Sequence, residues 1–120
     1  IRTWIEKHGA RSAVVVGGGF IGLEMAENLT RLGLDVTVVE MLAQVMPPLD
    51  PEIAAVVEDH LRSHGVTLAL ADGVAGFSSS PSGKIAVRTA SGRSHEADVV
   101  ILSIGVRPDT TLAKAAGLEP

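Results

Sequence analysis

The chain has 120 residues, of which 46% are hydrophobic, and a formal net charge of −4 at pH 7. This length and composition predict one globular domain with a single core, and the absence of a basic cluster argues against nucleic acid as a partner. No apolar run is long enough to span a membrane and no signal-peptide pattern appears, so we expect no membrane partner and a cytoplasmic protein. The chain has no Cys, which excludes disulfides, thiolate metal sites and a catalytic thiol within these residues.

Hydrophobic periodicity and turn residues predict strands and helices along the whole chain. The first half contains, in order, a helix end or linker over Ile1–Gly9, a buried strand over Ala13–Val16, a helix over about Phe20–Leu32 and a strand over Asp35–Val39. The second half contains a helix that begins at Asp50-Pro51-Glu52 and is closed by Gly65, a short strand over Val66–Leu70, three alternating segments over Val74–Ser78, Lys84–Thr89 and Ser94–Ala97, a buried strand over Asp98–Leu102 and a short helix over Thr111–Ala116.

This order of elements predicts a Rossmann-like three-layer α/β domain with a parallel sheet. Serine- and glycine-rich turns separate the three alternating segments, which is typical of an antiparallel β-meander. We expect the meander to form a crossover that covers the sheet and to carry no convergent polar chemistry. In the two long helices, apolar residues at helical spacing are predicted to face the core. They are Ile21, Met25, Leu29 and Leu32 in the first helix, and Ile53, Val57 and Leu61 in the second.

A glycine-rich loop joins the first strand to the first long helix. It matches the pattern G-x-G-x-x-G at Gly17, Gly19 and Gly22. The first glycine permits a sharp turn, the second lets a pyrophosphate approach the backbone, and the third lets the helix pack close to the sheet. Because the free N–H groups and the positive dipole end of the helix face the loop, this segment predicts a dinucleotide cofactor.

Glu40 ends the second strand, 23 positions after Gly17. At that position a carboxylate can accept hydrogen bonds from the adenosine ribose hydroxyls. No Arg occurs between Glu40 and Pro51, although a pocket for a 2′-phosphate usually places an Arg there. The sequence therefore predicts that NADH is preferred over NADPH.

Two further residues each allow a structural and a ligand-binding interpretation. Glu24 lies in the first turn of the predicted helix, where an acid favours the helix dipole, and the same place is close to where a ligand would enter. Gly105 follows the last buried strand, so it lies either at the ligand crevice or in an ordinary turn. The residues alone leave both alternatives open.

His60 and His64 have the i,i+4 spacing of a zinc-binding pair. However, no Glu follows His60 and no third ligand is evident. We interpret both as solvated surface residues, and we predict neither a metal site nor a catalytic residue in this chain.

Taken together, these motifs resemble the NADH-binding domain of the FAD-dependent pyridine nucleotide–disulfide oxidoreductases, and most of all the NADH oxidase and coenzyme A-disulfide reductase branch. The resemblance extends from Arg11 to Leu118. Its specific parts are the run Gly17-Gly18-Gly19-Phe20-Ile21-Gly22-Leu23-Glu24, then Glu40, and then Ser103-Ile104-Gly105-Val106-Arg107-Pro108-Asp109.

The resemblance implies a role for each of these residues. Gly17, Gly19 and Gly22 would hold the pyrophosphate, within a cofactor-binding segment that also includes Gly18 and Ile21. Glu40 would bind the adenosine ribose, and Glu24 would contact the nicotinamide carboxamide. Gly105 would offer backbone contacts near the nicotinamide. Phe20 occupies a position that is often Tyr in the family, and its ring would gate the nicotinamide site.

The resemblance also implies a larger parent protein. Residues 1–120 would be a single NAD(H)-binding domain taken from a longer oxidoreductase, which would bind FAD mainly outside this segment. The FAD-binding domain of the same chain would be the domain's partner, and the parent would form a homodimer. Alone, this chain is expected to bind NADH without turnover.

Three alternatives remain open on the sequence. A Rossmann unit of this kind can bind FAD itself, since FAD uses the same loop and acid. The chain can instead be a non-catalytic nucleotide-sensing module, or a structural domain with a vestigial pocket. The position of Glu24, the meander and the segment from Gly105 to Pro108 favour the NADH-binding domain.

Overall fold

The computed structural model describes residues 1–119 of the chain. The helices are α1 (Arg2–His8), α2 (Phe20–Arg31), α3 (Pro51–Ser63) and α4 (Thr111–Ala115). The strands are β1 (Ser12–Val16), β2 (Asp35–Val39), β3 (Thr67–Ala69), β4 (Val74–Ser79), β5 (Ile85–Thr89), β6 (Ser94–Ala97) and β7 (Val99–Leu102). The predicted α/β class and order of elements are confirmed.

The main sheet has four parallel strands in the order β3-β2-β1-β7. Val16, the last residue of β1, pairs with Val39 on one side and with Leu102 on the other. Three strands of distant sequence therefore end side by side. In an open parallel sheet, the crevice outside these carboxyl ends is where ligands bind.

The predicted β-meander is a separate antiparallel sheet in the order β4-β5-β6. Val87 at its centre is fully buried, in a cluster with apolar residues from β1, β2 and β3. The meander thus packs on one face of the parallel sheet. A second cluster, which contains residues of α1, α2 and α3, lies on the other face, and together they make the three layers of the domain.

The predicted core faces of the helices are only partly correct. The face of α2 that is buried consists of Gly22, Ala26 and Leu29, whereas Ile21 is 56% exposed. The small residues at the first two positions let α2 lie close to the sheet, which rotates Ile21 outward. In α3, Ile53 is 55% exposed and the neighbouring Ala54 is buried in its place.

No helix in residues 1–119 combines the length and the apolar character that crossing a bilayer requires.

Leu32, which was predicted to face the core, is partly exposed at the end of α2, where Gly33 takes a left-handed φ of 84°. That glycine ends the helix as its sequence position predicts.

Candidate functional site

The glycine loop lies where β1, β2 and β7 end together. The N–H of Gly17 donates to the Val39 carbonyl at 2.8 Å, and the N–H of Ser103 donates to the Val16 carbonyl at 2.8 Å. The last carbonyl of β2 therefore bonds to the first residue after β1, and the last carbonyl of β1 bonds to the first residue after β7. This arrangement fixes the glycine loop and the segment after β7 next to each other.

The three motif glycines differ in what a side chain at each position would meet. Gly17 has a φ of 108°, and a Cβ there would overlap the Ser103 carbonyl oxygen. A Cβ on Gly22 would overlap the Gly17 carbonyl oxygen, so no larger residue fits while α2 stays this close. Gly19 differs, because a Cβ on it would meet nothing within 4 Å. The open side of the loop is thus at Gly19.

Gly19 is also the N-cap of α2, and no side chain caps this end of the helix. The first N–H groups of an α-helix have no partner within the helix. Here they face the open side of the loop, together with the positive end of the helix dipole. An anionic group such as a pyrophosphate fits this position by charge and by space.

The carboxylate of Glu40 is held by two backbone N–H groups and is only 8% exposed. Its Oε2 accepts from Gly18 at 2.6 Å and its Oε1 accepts from Leu42 at 2.7 Å. The acid is therefore fixed in one orientation at the end of β2. A carboxylate has about four acceptor positions, so two such bonds leave capacity for a ligand hydroxyl.

Gly18 has a structural role that the motif did not predict. Besides donating to Glu40, it accepts a hydrogen bond from the N–H of Met46 at 2.8 Å. A Cβ on Gly18 would lie 3.3 Å from the Cβ, the Cγ and the Oε2 of Glu40. The middle residue of the loop is thus packed directly against the acid. Only the pairing of β1 with β2 reveals this contact.

Phe20 and Glu24 lie one turn apart on the outer side of α2. Phe20 is 63% exposed, and Glu24 is exposed as well. Both line a groove of about 400 Å³ between α2 and α3, with Leu23, Met46, His60 and Leu61 among the other lining residues. The two side chains are therefore accessible from solvent and adjacent to the open end of the glycine loop.

Gly105 lies in the exposed segment after β7, with a φ of 114°. A Cβ on it would meet nothing within 4 Å, so its backbone is open to solvent. Ser103, two residues earlier, packs against the glycine loop. Its Cβ is 3.5 Å from the Cβ that Gly22 would carry, and its Oγ is buried without a hydrogen-bond partner among residues 1–119. The sequence did not single out this hydroxyl.

The predicted surface role of the two histidines agrees with their exposure. The rings of His60 and His64 lie 4.4 Å apart between centroids, and both residues are exposed. In the described part of the chain, no group of three His, Cys, Asp or Glu side chains is placed to hold a metal ion. The pair lies on α3 and lines the same groove as Phe20 and Glu24.

Large apolar side chains are exposed at the same edge as the glycine loop. More than half exposed are, among others, Phe20, Ile21, Leu102, Ile104 and Val106. Leu112 on α4 is 83% exposed, and no residue of that helix is buried. Several exposed large apolar side chains at one edge of a domain are typical of a contact with another domain.

Comparison with known proteins identifies a family over nearly the whole chain. The family model described as "Pyridine nucleotide-disulphide oxidoreductase" matches residues 2–120. An NADH oxidase of Methanocaldococcus jannaschii is 41% identical over 120 residues, which are 99% of this chain and 26% of the relative. A dihydrolipoyl dehydrogenase of Haloferax volcanii is 38% identical over 111 residues, or 88% of this chain and 23% of the relative.

Solved structures show the same likeness. The reduced CoADR-RHD of Bacillus anthracis is 48% identical and has a TM-score of 0.86, with 99% of this chain and 21% of that chain covered. The water-forming NADH oxidase of Lactobacillus brevis bound to NADH is 40% identical, with a TM-score of 0.82 over 95% of this chain and 25% of that chain. The chain thus spans about a quarter of the length of the curated relatives it matches. It belongs to the pyridine nucleotide-disulphide oxidoreductase family, among relatives that include NADH oxidases.

Proposed function

We propose that this chain is the NADH-binding domain of its parent oxidoreductase, and that it positions the nicotinamide for hydride transfer to FAD. The observation that carries the proposal is the buried carboxylate of Glu40, fixed by Gly18 and Leu42 at the carboxyl end of β2. A carboxylate held there beside a glycine loop matches the chemistry of an adenosine ribose.

The pyrophosphate would lie over the open side of the glycine loop. Gly19 leaves room there, and the unpartnered N–H groups at the start of α2 are donors for its oxygens. Gly17 and Gly22 bring the strand, the loop and the helix close enough together to form this cradle. A Cβ at Gly19 would meet nothing within 4 Å, so the backbone there is open to an approaching phosphate.

Glu40 would accept hydrogen bonds from the ribose hydroxyls through its remaining lone pairs. A 2′-phosphate in the same place would bring two negative groups together in a poorly solvated site. Moreover, no Lys or Arg occurs from Met41 to Asp50 to neutralise that phosphate. NADH is therefore the proposed cofactor, in preference to NADPH.

The nicotinamide would lie toward Phe20, Glu24 and Gly105. Phe20 is mostly exposed, which suits a gate over the nicotinamide site. The Glu24 carboxylate accepts no hydrogen bond within residues 1–119 and is available to the carboxamide N–H group. The open backbone at Gly105 offers a second contact.

The exposed apolar side chains at this edge are proposed to face the FAD-binding domain of the same parent chain. The chain covers about a quarter of its relatives' length, which leaves room for that domain. The nicotinamide end of the site is on this surface, so docking would bring the two cofactors together. We further propose that the parent, an NADH oxidase or coenzyme A-disulfide reductase, is a cytoplasmic homodimer.

Calorimetric titration with NADH and with NADPH tests the proposal. We expect NADH to bind at least about tenfold more tightly, which is about 1.4 kcal/mol. Glu40→Arg is expected to erase or reverse this difference. Asp59→Arg, a similar change of charge at a side chain that is 83% exposed on α3, is the matched control and should leave it intact.

The possible results of the titration distinguish the proposed function from its alternatives. Equal affinity for the two nucleotides would remove the role of Glu40 in selectivity and leave the fold unaffected. Binding of FAD in place of both would favour a flavin-binding Rossmann domain. If neither this chain nor the full-length parent bound NADH, the proposed function would be wrong.

A further inference from the structure

Asp72 is a buried carboxylate between β3 and β4 that the proposed mechanism does not use. Its side chain is 1% exposed. It accepts hydrogen bonds from the Ser91 hydroxyl at 2.6 Å and from the Ser91 N–H at 3.0 Å, and the Arg93 guanidinium lies 3.5 Å away. Ser91 and Arg93 belong to the turn between β5 and β6. Asp72 therefore ties this turn of the meander to the edge of the parallel sheet.

On its other side, Asp72 belongs to a short segment, Ala71–Gly73, which we call the strap. The strap runs alongside the residues that follow β2. The Asp72 N–H donates to the Glu40 carbonyl at 3.1 Å, and the Ala71 N–H donates to the Leu42 carbonyl at 2.8 Å. Both partners are residues of the proposed ribose site, since the Leu42 N–H in turn binds the Glu40 carboxylate.

The strap also supports the residue between Glu40 and Leu42. A Cβ on Gly73 would lie 3.4 Å from the Cγ of Met41, so the Met41 side chain covers the strap. In addition, Ala71 has a φ of 53°, a left-handed conformation that few residues without a special reason adopt. Such a conformation persists only when its surroundings hold it in place. The bonds at Asp72 and Leu42 do so.

We propose that Asp72 and Ser91 position the loop that carries Glu40, so that the meander sets the geometry of the adenosine end of the nucleotide site. The inference rests on the proposed function. Asp72 itself does not touch the nucleotide; it acts through the strap. The prediction that the meander carries no convergent polar chemistry stays a prediction; under this inference, its turn would join a chain of polar contacts that ends at Glu40.

The protonation state of Asp72 is consistent with this role. The hydrogen bonds from the Ser91 hydroxyl and backbone lower the pKa of Asp72 from its ordinary value of 3.8. It is thus ionised at neutral pH, and an ionised carboxylate only accepts hydrogen bonds. All the groups that face it are donors. Asparagine at this position would place its NH₂ group against one of these donors, and no hydrogen bond could form between them.

The chain offers a matched control at the opposite end of the same sheet. Asp98 accepts bonds from the Arg11 N–H and from the Ser12 N–H and hydroxyl, each at 2.9 Å, and Lys84 lies 3.6 Å away. Like Asp72, it joins a strand end to the meander, through hydrogen bonds from backbone N–H groups and a serine hydroxyl and through a nearby cationic side chain. Unlike Asp72, it lies at the amino ends of β1 and β7, away from the glycine loop.

The experiment compares wild type, Asp72→Asn, Ser91→Ala and Asp98→Asn in two measurements. Calorimetry gives the affinities for NADH and NADPH. Hydrogen exchange without nucleotide reports the protection of the peptide that contains Leu42. We expect Asp72→Asn to weaken the binding of NADH roughly threefold to tenfold and to reduce the ratio of NADH affinity to NADPH affinity. The same variant should speed hydrogen exchange at Leu42. Ser91→Ala should change each quantity in the same direction but by less. Asp98→Asn should change none of these, although it lowers thermal stability.

Unchanged NADH affinity and unchanged exchange in Asp72→Asn would overturn the inference, while the proposed function would stand if wild type still bound NADH. Should Asp72→Asn fail to fold, Ser91→Ala decides, and wild-type affinity and exchange in that variant would overturn the inference. An equal effect of Asp98→Asn on affinity would also overturn it, since general loss of stability would then explain the result. Faster exchange at Leu42 in Asp72→Asn would support the positioning role even if neither this chain nor the full-length parent bound NADH, a result that would show the proposed function to be wrong.

Discussion

The carboxylate of Glu40 accepts a 2.6 Å hydrogen bond from the N–H of Gly18, so the acid proposed to select the nucleotide also ties two strand ends together. Its other oxygen holds Leu42. The proposed selectivity and the stability of the free domain would therefore depend on the same side chain. This double role has consequences that can be measured without any ligand.

Glu40→Gln is expected to destabilise the free domain. One carboxylate oxygen becomes an NH₂ group that faces a backbone N–H, so a buried donor loses its partner. Such a loss costs about 1 to 3 kcal/mol in the free energy of unfolding. Urea denaturation monitored by circular dichroism measures it. The control is Glu24→Gln, where the carboxylate is exposed; it should stay within about 0.5 kcal/mol of wild type. Equal stability of the two variants would contradict the structural role of Glu40.

Gly17→Ala is expected to disrupt the glycine loop even without nucleotide. The substitution forces a Cβ onto a residue with a φ of 108° and against the Ser103 carbonyl oxygen. Backbone strain of this kind costs about 1 to 3 kcal/mol, and the overlap adds to it. Gly76→Ala is the control, because Gly76 has no positive φ and its Cβ would meet only the end of the Arg88 side chain, at 3.5 Å. Similar melting temperatures for the two variants would show that the loop relaxes freely.

The sequence predicts the geometry of the glycine loop well where local rules apply. Gly17, Gly19 and Gly22 serve a turn, an open approach and a close helix contact, as their spacing indicates. The sequence also placed Glu40 at the end of β2, because a strand of five residues with a clear apolar pattern has a defined end. Each of these predictions depends on residues that are near one another in the chain.

Contacts between distant segments escaped prediction. The bond from Gly18 to Glu40 spans 22 positions, and the bonds from Ser91 to Asp72 span 19. They depend on strand register and on the packing of the meander, which periodicity does not encode. The exposed Ile21 shows a related limit. Helical spacing groups apolar residues on one face, but the close approach of α2 selects the face with the smallest side chains.

Stability at acid pH should depend on Asp98. The Arg11 N–H, together with Ser12 and Lys84, lowers the pKa of Asp98 below its ordinary value of 3.8. A lowered pKa in the folded state means that Asp98 stabilises the fold above the unfolded-state pKa of about 3.9, and that this contribution is lost as pH falls through the lower folded-state pKa. Asp98→Asn should therefore lower the melting temperature at pH 7 and flatten its fall below about pH 4. Asp59→Asn, at an exposed position on α3, should follow the wild-type curve, and an unchanged curve for Asp98→Asn would contradict the assignment.

Glu24 should act on the nicotinamide end of the ligand alone. If its carboxylate binds the carboxamide, Glu24→Gln weakens NADH binding by about threefold to tenfold, the difference between a hydrogen bond to a charged acceptor and one to a neutral acceptor, and leaves the affinity for ADP-ribose unchanged. Calorimetry with the two ligands separates these cases, because ADP-ribose has the pyrophosphate and both riboses but lacks the nicotinamide. The control is Glu27→Gln, one turn later on α2, where the carboxylate already pairs with Arg31 at 2.6 Å. Equal losses for both ligands would mean that Glu24 acts on the loop, and no loss for either would leave it as a helix acid without a ligand role.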